Sequence, residues 1–332
     1  MLKGSRCAGS PKECSPRLKI LDLFAGAGGL SLGFEQAGFA IHTAIEADKW
    51  AGQTLQRNHP DTRVLCRDIA SFSDEEIAAF FSGVRLTGIV GGPPCQGFSH
   101  SNIGRKDPHD PRNSLFRHFA NFVKILKPDF FLIENVPGLL RTKLASGQPA
   151  VEVIVGTFQA LGYHTESRVL HAEAFGVPQI RERLFILGTL STALKRPMPT
   201  GTHRVSCDGQ IPMFDGAGLA PAVTLWDAIS DLPPLEAGEG AEPSDYETEP
   251  ATEYQQRMRG ESYELWNHIA MRHSKRIVER FKQIAAGQSQ SDVAAEHAPR
   301  VRNGVKTSVS RYDQNNRRLH PDRPSHTIPA SF

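Results

Sequence analysis

Short apolar runs alternate with helix-like segments along the first half of the chain, and this alternation limits the possible folds more than any other feature. Five runs are typical of buried strands: residues 18–24, 40–45, 64–65, 88–90 and 130–133. The segments between them show helical spacing of apolar side chains: residues 30–37, 49–58, 74–81 and 114–126. Strands that alternate with helices predict an α/β fold with a doubly wound, parallel sheet.

Two later strand-like runs, residues 163–170 and 184–188, have no helical segment between them. They predict an antiparallel pair at one edge of the sheet. After residue 189 the pattern changes to Gly, Pro and polar residues with a few helical patches, such as residues 274–286. We therefore expect a domain boundary near Leu190 and a second, smaller and more irregular domain after it.

Charge is distributed unevenly over this second part, although the whole chain carries a formal net charge of only +2. Residues 236–254 contain seven acids and no Lys, Arg or His, whereas residues 257–323 contain fourteen Lys and Arg against seven Asp and Glu. A basic region behind an acidic spacer is suited to binding phosphate. A solvated charged surface explains the same counts, so the charges alone leave both interpretations open.

The five cysteines, at positions 7, 14, 66, 95 and 207, form neither a Cys-x-x-Cys pair nor a metal-ligand spacing. No apolar run reaches the length of a transmembrane helix, and nothing near the N-terminus resembles a signal peptide. The cysteine pattern therefore predicts a cytoplasmic protein in a reducing compartment, without a metal cofactor.

The segment DLFAGAGG, residues 22–29, forms a glycine-rich loop between the first strand and the first helix. Such a loop lets a ligand approach backbone amides at a helix N-terminus. A dinucleotide fingerprint would require a third glycine where this chain has Ser31, which disfavours NAD. Glu46 and Asp68 end the second and third strands, where they could bind a ribose and an adenine amino group or could simply cap the next helices. Two such acids behind a glycine loop favour a nucleoside ligand without a pyrophosphate.

The segment GGPPCQGFS, residues 91–99, follows the fourth strand and contains Cys95. Because proline removes amide donors and glycine allows unusual dihedrals, this cysteine is a candidate nucleophile rather than a core residue; a stiff turn with an incidental thiol is an equally good explanation. Glu134 ends the fifth strand at the same edge, where ligands of open α/β sheets bind. Strand alternation places Arg181 and Arg183 on one face of a strand. Two arginines placed in this way could form a surface salt-bridge ladder, or they could donate to an oxygen or a phosphate.

Four motifs, FAGAGG, PPCQGFS, ENV and QIRER, in this order and spacing, resemble those of the DNA (cytosine-5)-methyltransferase family. RLHPDRPSHTI, residues 318–328, is similar to the family's ninth motif, so the resemblance extends over residues 20–330. It implies methyl transfer from S-adenosylmethionine to a cytosine flipped out of double-stranded DNA. It also implies a catalytic and cofactor-binding domain over residues 18–190 and a target-recognition domain over residues 191–332. The composition of residues 1–17, rich in Ser, Lys, Gly and Pro, predicts a flexible tail before them.

The resemblance implies a role for each candidate site residue. The thiolate of Cys95 adds to cytosine C6, Glu134 acts at N3, and Arg183 contacts O2. Arg181 supports the loop, and Asn135 braces the backbone of the loop that carries Cys95. Gln96 and Ser99 are expected to contact DNA. The cofactor is expected to contact Phe24, Ala27, Gly28, Gly29, Glu46, Asp68, Ile69, Pro94 and Leu115.

Two departures from the family pattern stand out. Ala47 follows Glu46, where some members carry a tryptophan against the adenine, so that contact must come from another residue such as Ile69. The chain ends at Phe332 without the family's tenth motif, a Gly-Asn-x-Val-Pro segment. This ending suggests a second polypeptide that carries the motif, or a truncated, inactive DNA-binding protein.

The resemblance also indicates a biological setting. We expect the modification enzyme of a bacterial restriction-modification system or a solitary methylase, located in the cytoplasm and bound to the nucleoid through DNA. An RNA cytosine methyltransferase would use the same chemistry, but the RNA-acting relatives lack so long a recognition region.

Overall fold

The computed structural model describes residues 18–94, 115–144, 147–191, 198–205, 218–260, 262–292 and 317–328. Contacts between Cα atoms divide the chain into two compact units. Unit 1 comprises Met1–Val169 and Arg183–Pro199, and unit 2 comprises Leu170–Glu182 and Thr200–Phe332. The sequence analysis expected one boundary near Leu190, whereas in the structure the segment Leu170–Glu182 also groups with unit 2, because it contains a strand that pairs there.

Unit 1 is built around a seven-stranded sheet. The first eight strands of the chain are β1 (Lys19–Leu23), β2 (Ala40–Glu46), β3 (Arg63–Cys66), β4 (Gly88–Gly91), β5 (Phe130–Asn135), β6 (His164–His171), β7 (Gln179–Ile180) and β8 (Glu182–Thr189). The sheet has the order β3-β2-β1-β4-β5-β8-β6. Strands β1 to β5 are parallel, and β8 is antiparallel to β5. This topology confirms the predicted doubly wound α/β fold. The strand order reverses between the neighbouring strands β1 and β4, which is the position where open sheets of this kind bind ligands.

Five helices connect these strands. They are α1 (Gly29–Gln36), α2 (Lys49–Asn58), α3 (Asp74–Phe80), α4 (Leu115–Leu126) and α5 (Ala150–Ala160). The first four lie within one residue of the predicted positions, and the Ser73–Glu76 capping box fixes the start of α3. The sequence analysis did not predict α5, whose β-branched residues at Val151, Val153, Ile154 and Val155 obscure the helical signal.

Aromatic side chains fill the core of unit 1. Phe131 on β5 packs against Phe158 of α5 with ring centroids 4.0 Å apart and the ring planes tilted by 30°. Phe119 and Tyr163 contact the same Phe131 ring edge-on. A Cβ atom on Gly188 would lie 2.0 Å from the Phe131 ring, so only glycine fits at this point of β8. Each fully buried side chain of this size contributes about 2 kcal/mol to the stability of the sheet that positions the site.

Unit 2 is less regular. Its helices are α6 (Leu225–Ile229), α7 (Glu253–Arg259) and α8 (Lys275–Lys282), and its further strands are β9 (Ser244–Asp245), β10 (Glu264–Leu265) and β11 (Ser325–His326). β11 pairs with β7 in parallel, and β9 pairs with β10. A buried ion pair joins Arg259 Nε to Asp231 Oδ2 at 2.7 Å. Across the described ranges of both units, no helix is long and apolar enough to cross a membrane.

Candidate active site

The glycine-rich loop between β1 and α1 has an unusual backbone. Phe24, Gly26 and Gly28 all have positive φ angles, of 59°, 56° and 95°. A positive φ is strained for a bulky residue such as Phe24, and strain of this kind is concentrated at functional sites. Gly28 must be glycine, because a Cβ atom there would lie 2.5 Å from His59 Nε2.

Glu46, the last residue of β2, holds this loop. The amide of Gly26 donates to Glu46 Oε2 at 2.7 Å, and the amide of Asp48 donates to Oε1 at 2.7 Å. The carboxylate therefore connects the glycine loop to the start of α2. Each carboxylate oxygen has two acceptor sites, so Glu46 can still accept hydrogen bonds from ligand hydroxyls.

Asp68 follows β3 and, like Glu46, both binds a backbone amide and keeps an oxygen available to a ligand. Its Oδ1 accepts from the amide of Ala70 at 2.9 Å, which caps the short 3-10 turn Ile69–Ser71. This is the capping role that the sequence left open. The second carboxylate oxygen is not used by this cap and can accept from a ligand amino group.

Of these residues, Phe24, Glu46 and Asp68 line a cavity of about 410 Å³ in unit 1. Apolar side chains provide walls for a planar base, and two carboxylates provide acceptors for ribose hydroxyls and an amino group. This combination fits an adenosine. Of the nine residues expected at the cofactor, Ala27, Gly28 and Gly29 are not among those that line the cavity. The lining residues are Phe24, Ile45, Glu46, Ala47, Arg67, Asp68, Ile69, Ala70, Pro94 and Leu115.

A second group of residues lies farther along the same edge of the sheet. Arg183 Nε donates to Glu134 Oε1 at 2.7 Å, and their side chains are only 23% and 30% exposed. The antiparallel pairing of β5 with β8, in which Glu134 lies opposite Phe185, brings the two residues together. A Cβ atom on Gly92 would lie 3.4 Å from Glu134 Oε2, so the carboxylate is adjacent to the loop after β4.

Asn135 fixes the start of that loop. Its Nδ2 donates to the carbonyl of Pro93 at 3.0 Å, and its Oδ1 accepts from the amide of Val136 at 2.8 Å. Asn135 is buried, with 6% of its surface exposed, so both bonds are shielded from water. Pro93 and Pro94 lead directly to Cys95.

Three predicted site residues, Cys95, Gln96 and Ser99, lie outside the described residues. Arg181 belongs to unit 2, where its amide donates to Glu173 Oε2 at 3.2 Å and its carbonyl accepts from the amide of Ala172 at 2.9 Å. These bonds hold the backbone at the QIRER motif.

The model of the family of C-5 cytosine-specific DNA methylases matches residues 18–325. The chain belongs to this family. Its enzyme class is therefore DNA (cytosine-5)-methyltransferase.

Individual C-5 methylases extend the comparison. The Type II methyltransferase M.DdeI of Desulfomicrobium norvegicum is 42% identical over 317 residues, which cover 95% of this chain and 72% of that protein. The Type II methyltransferase M1.HphI of Haemophilus parahaemolyticus is 33% identical over 309 residues, which cover 93% of this chain and 69% of that protein. Among solved structures, a prophage-encoded protein of E. coli described as a DNA modification methyltransferase matches 93% of this chain and 85% of that one, with a TM-score of 0.65 at 27% identity.

Sequence reasoning missed two residues near the candidate site, one that lines the cavity and one buried in β1 before the glycine-rich loop. Arg67 lines the cavity and is held by Glu76 Oε2 at 2.9 Å and by the carbonyl of Ser71 at 2.7 Å; nothing in its sequence context distinguished it.

Asp22, in β1, is fully buried, and its Oδ2 accepts from Ser31 Oγ at 2.6 Å. Burial raises the pKa of Asp22 to about 7. An acid inside an apolar strand was the available signal for Asp22.

Proposed function

We propose that this C-5 methylase transfers a methyl group from S-adenosylmethionine to a cytosine within a specific sequence of double-stranded DNA. The observation that carries the proposal is the ion pair between Glu134 and Arg183, beside Gly92 and the two prolines that precede Cys95. A carboxylate and a guanidinium held at a strand edge, beside the segment that leads in sequence to a candidate nucleophile, are the groups that addition to a cytosine ring requires.

The cavity in unit 1 would hold the adenosine part of the cofactor. Glu46 would accept hydrogen bonds from the ribose hydroxyls, and Asp68 from the adenine amino group. Ile69, Pro94 and Leu115 would contact the base, with Ile69 taking the place of the tryptophan that Ala47 replaces. The bound cofactor supplies an electrophilic methyl group.

The reacting residues act on the cytosine. The Cys95 thiolate would form a bond to C6, which makes C5 a nucleophile, and Glu134 would bind N3 as negative charge develops there. Arg183 would hold O2 and keep the Glu134 carboxylate in place through their 2.7 Å bond. After methylation, loss of the C5 proton restores the ring double bond and breaks the bond between C6 and sulfur.

The duplex must present a cytosine outside its base stack for this chemistry, at a cost of a few kcal/mol. Arg181 would support the pocket from the QIRER motif, while Gln96 and Ser99 would contact the DNA near the vacated position. Unit 2 would read the recognition sequence. The likeness to Type II methyltransferases supports a role in restriction-modification, in which host DNA is protected by methylation.

The test uses the purified chain, duplex DNA of mixed sequence and S-adenosylmethionine with a labelled methyl group. We expect label in 5-methylcytosine at one sequence, and a covalent complex with duplex in which 5-fluorocytosine replaces the target. Cys95→Ala should lose both the methylation and the complex while still binding DNA. Methylation at another base or ring position, or turnover by Cys95→Ala at the wild-type rate, would refute the proposal.

A further inference from the structure

Unit 2 contains a cavity of about 570 Å³ that the proposed chemistry does not use. Residues 317–326, which we call the return strap, form one of its walls. The charged and imidazole side chains that the strap places on this wall are Arg317, Arg318, His320, Arg323 and His326.

Backbone hydrogen bonds hold the return strap to three other parts of unit 2. It contacts the loop after α8, the start of α6 and the segment before β7. Because these bonds fix the main chain, the strap presents its side chains from a defined position rather than from a mobile loop. The bonds run from Gly287 N to Arg318 O (2.8 Å), Arg318 N to Gln288 O (2.9 Å), Leu225 N to Arg323 O (2.9 Å), Trp226 N to Pro321 O (3.0 Å) and Ser325 N to Pro178 O (2.9 Å).

The arginines of the strap differ in how many donors remain for a ligand. Arg318 Nη1 donates to the carbonyl of Ile284 at 3.3 Å, which gives this side chain a structural role. Arg317 Nη1 lies 3.1 Å from His326 Nε2; a guanidinium can only donate, so this bond uses one of its five N–H groups. The guanidinium of Arg323 has no hydrogen bond or ion pair with any residue that the structure describes.

Two acids that the structure describes, Glu173 and Glu182, lie on the opposite wall, but neither forms an ion pair with a strap arginine. Glu173 is 2% exposed, and its oxygens are taken by the amide of Arg181 at 3.2 Å and by His171 Nδ1 at 3.4 Å. Glu182 Oε1 lies 3.8 Å from the same His171 nitrogen. Within the described part of unit 2, no strap arginine pairs with a carboxylate. Charge is partly balanced at longer range, because the two glutamates line the cavity and, in addition to hydrogen bonds from Ser289, the charge of Arg317 lowers the pKa of Asp292. The guanidinium N–H groups of Arg317 and Arg323 that no carboxylate binds are nevertheless available to an anionic ligand.

We propose that this cavity binds a phosphodiester group of the DNA backbone, with Arg317 and Arg323 as the main donors. The proposal rests on the proposed function, because that function makes DNA the ligand. A guanidinium fork matches two phosphate oxygens, and a volume of about 570 Å³ accommodates a nucleotide unit. A phosphate contact of this kind positions the duplex without reading its sequence.

The test measures duplex affinity by fluorescence anisotropy between about 50 and 200 mM salt, for wild type, Arg317→Ala, Arg323→Ala and Arg323→Lys. Arg85→Ala is the matched control: it removes one exposed arginine before β4, at the edge of the sheet opposite the active site. Methylation and cofactor affinity are measured on the same samples. Thermal unfolding checks each fold, and Arg323→Gln replaces the alanine variant if that variant does not fold.

We expect each alanine variant to bind about tenfold more weakly at the lowest salt and to lower the salt slope by about one, equally for two unrelated sequences. Arg323→Lys should keep the slope, and cofactor affinity should not change. If the two alanine variants keep the slope of Arg85→Ala while wild type methylates DNA, this inference fails and the proposed function stands. A loss confined to one DNA sequence, or greater weakening with duplex RNA than with DNA, would also overturn it. If the wild-type protein binds duplex DNA but methylates none, the proposed function is refuted. The salt slopes of the variants would still show whether Arg317 and Arg323 contact a phosphate.

Discussion

The two halves of the active-site edge use carboxylates in different ways. The half that we propose for the cofactor, called the cofactor half, is formed at the ends of β1, β2 and β3, and there Glu46 and Asp68 bind backbone amides of the loops that they line. The half that we propose for the cytosine, called the base half, is formed by the loop after β4 together with β5 and β8, and there Glu134 binds a side chain, the guanidinium of Arg183. Both halves belong to unit 1 and to a single sheet.

This difference in partners predicts which step each half affects, cofactor binding or turnover. Carboxylates that hold backbone amides shape a binding surface, so their loss should weaken cofactor binding more than turnover. A carboxylate held by one guanidinium can exchange that partner for a reacting ring, so its loss should lower turnover more than binding. Single substitutions can separate these two effects.

The largest effect on turnover should follow Glu134→Gln. We expect kcat to fall by about 10²-fold or more, because the amide cannot carry the charge or the proton that the reaction requires at N3. The KM for S-adenosylmethionine should not change, since Glu134 is not among the residues that line the cofactor cavity. Steady-state kinetics with each substrate varied measures both quantities. An increase in this KM at constant kcat would place Glu134 with the cofactor half and break the comparison.

Glu46→Gln should produce the opposite pattern. The amide retains one acceptor oxygen but replaces the other with a donor, so one of the two bonds to Gly26 and Asp48 is lost together with the charge. We expect cofactor affinity to fall by about 50-fold, measured by calorimetry with a non-reactive cofactor analogue, and kcat at saturation to change much less. Glu279→Gln, on the surface of α8, is the control. Equal losses of kcat and affinity would mean that the loop also positions the reacting groups.

Asp22 gives a prediction for stability rather than for kinetics. Burial raises its pKa from 3.8 to about 7, so the folded protein binds a proton that the unfolded chain has released between these values. The stability contributed by this proton is fully present below pH 3.8 and is lost as the pH rises through 7. Between about pH 5.5 and pH 8, the loss amounts to about 2 kcal/mol.

Asp22→Asn should remove this loss, because asparagine has no proton to release and can still accept from Ser31 Oγ. Urea unfolding at pH 5.5 and pH 8 should therefore show a smaller decrease in the free energy of unfolding for the variant than for wild type. The same decrease in both proteins would assign the pH dependence to other groups. The cofactor half then depends on acids in two places. Asp22 binds Ser31 of α1 from within the core, whereas Glu46 and Asp68 bind loop amides at the cavity.

The sequence predicted the parts of the molecule that depend on local pattern. The strands of the parallel sheet, the first four helices and the acids at strand ends all follow from periodicity and turn residues, because the ends of parallel strands meet at one edge. The pairing of Arg183 with Glu134 depends on the register between β8 and β5, which no local pattern encodes. The grouping of residues 170–182 with unit 2 depends on the pairing of β7 with β11, across more than a hundred residues of sequence. The partner of Arg67 on α3 and the burial of Asp22 are likewise products of packing.

The smallest effect should follow Asn135→Ala, which acts on the boundary between the halves. Loss of the 3.0 Å bond to the carbonyl of Pro93 leaves a buried acceptor unsatisfied and releases the start of the Cys95 loop. We expect kcat to fall by about tenfold, with less than a threefold change in cofactor affinity, because one neutral hydrogen bond contributes about 1 kcal/mol. Asn121→Ala is the control, since it removes a side-chain bond of 2.7 Å to Asp74, between α4 and α3. Equal kcat in the two variants would reduce Asn135 to a contributor to stability. A fall in cofactor affinity comparable to the fall in kcat would show that the bond to Pro93 also orders Pro94 against the cofactor, so that the two halves share this loop instead of dividing the work between them.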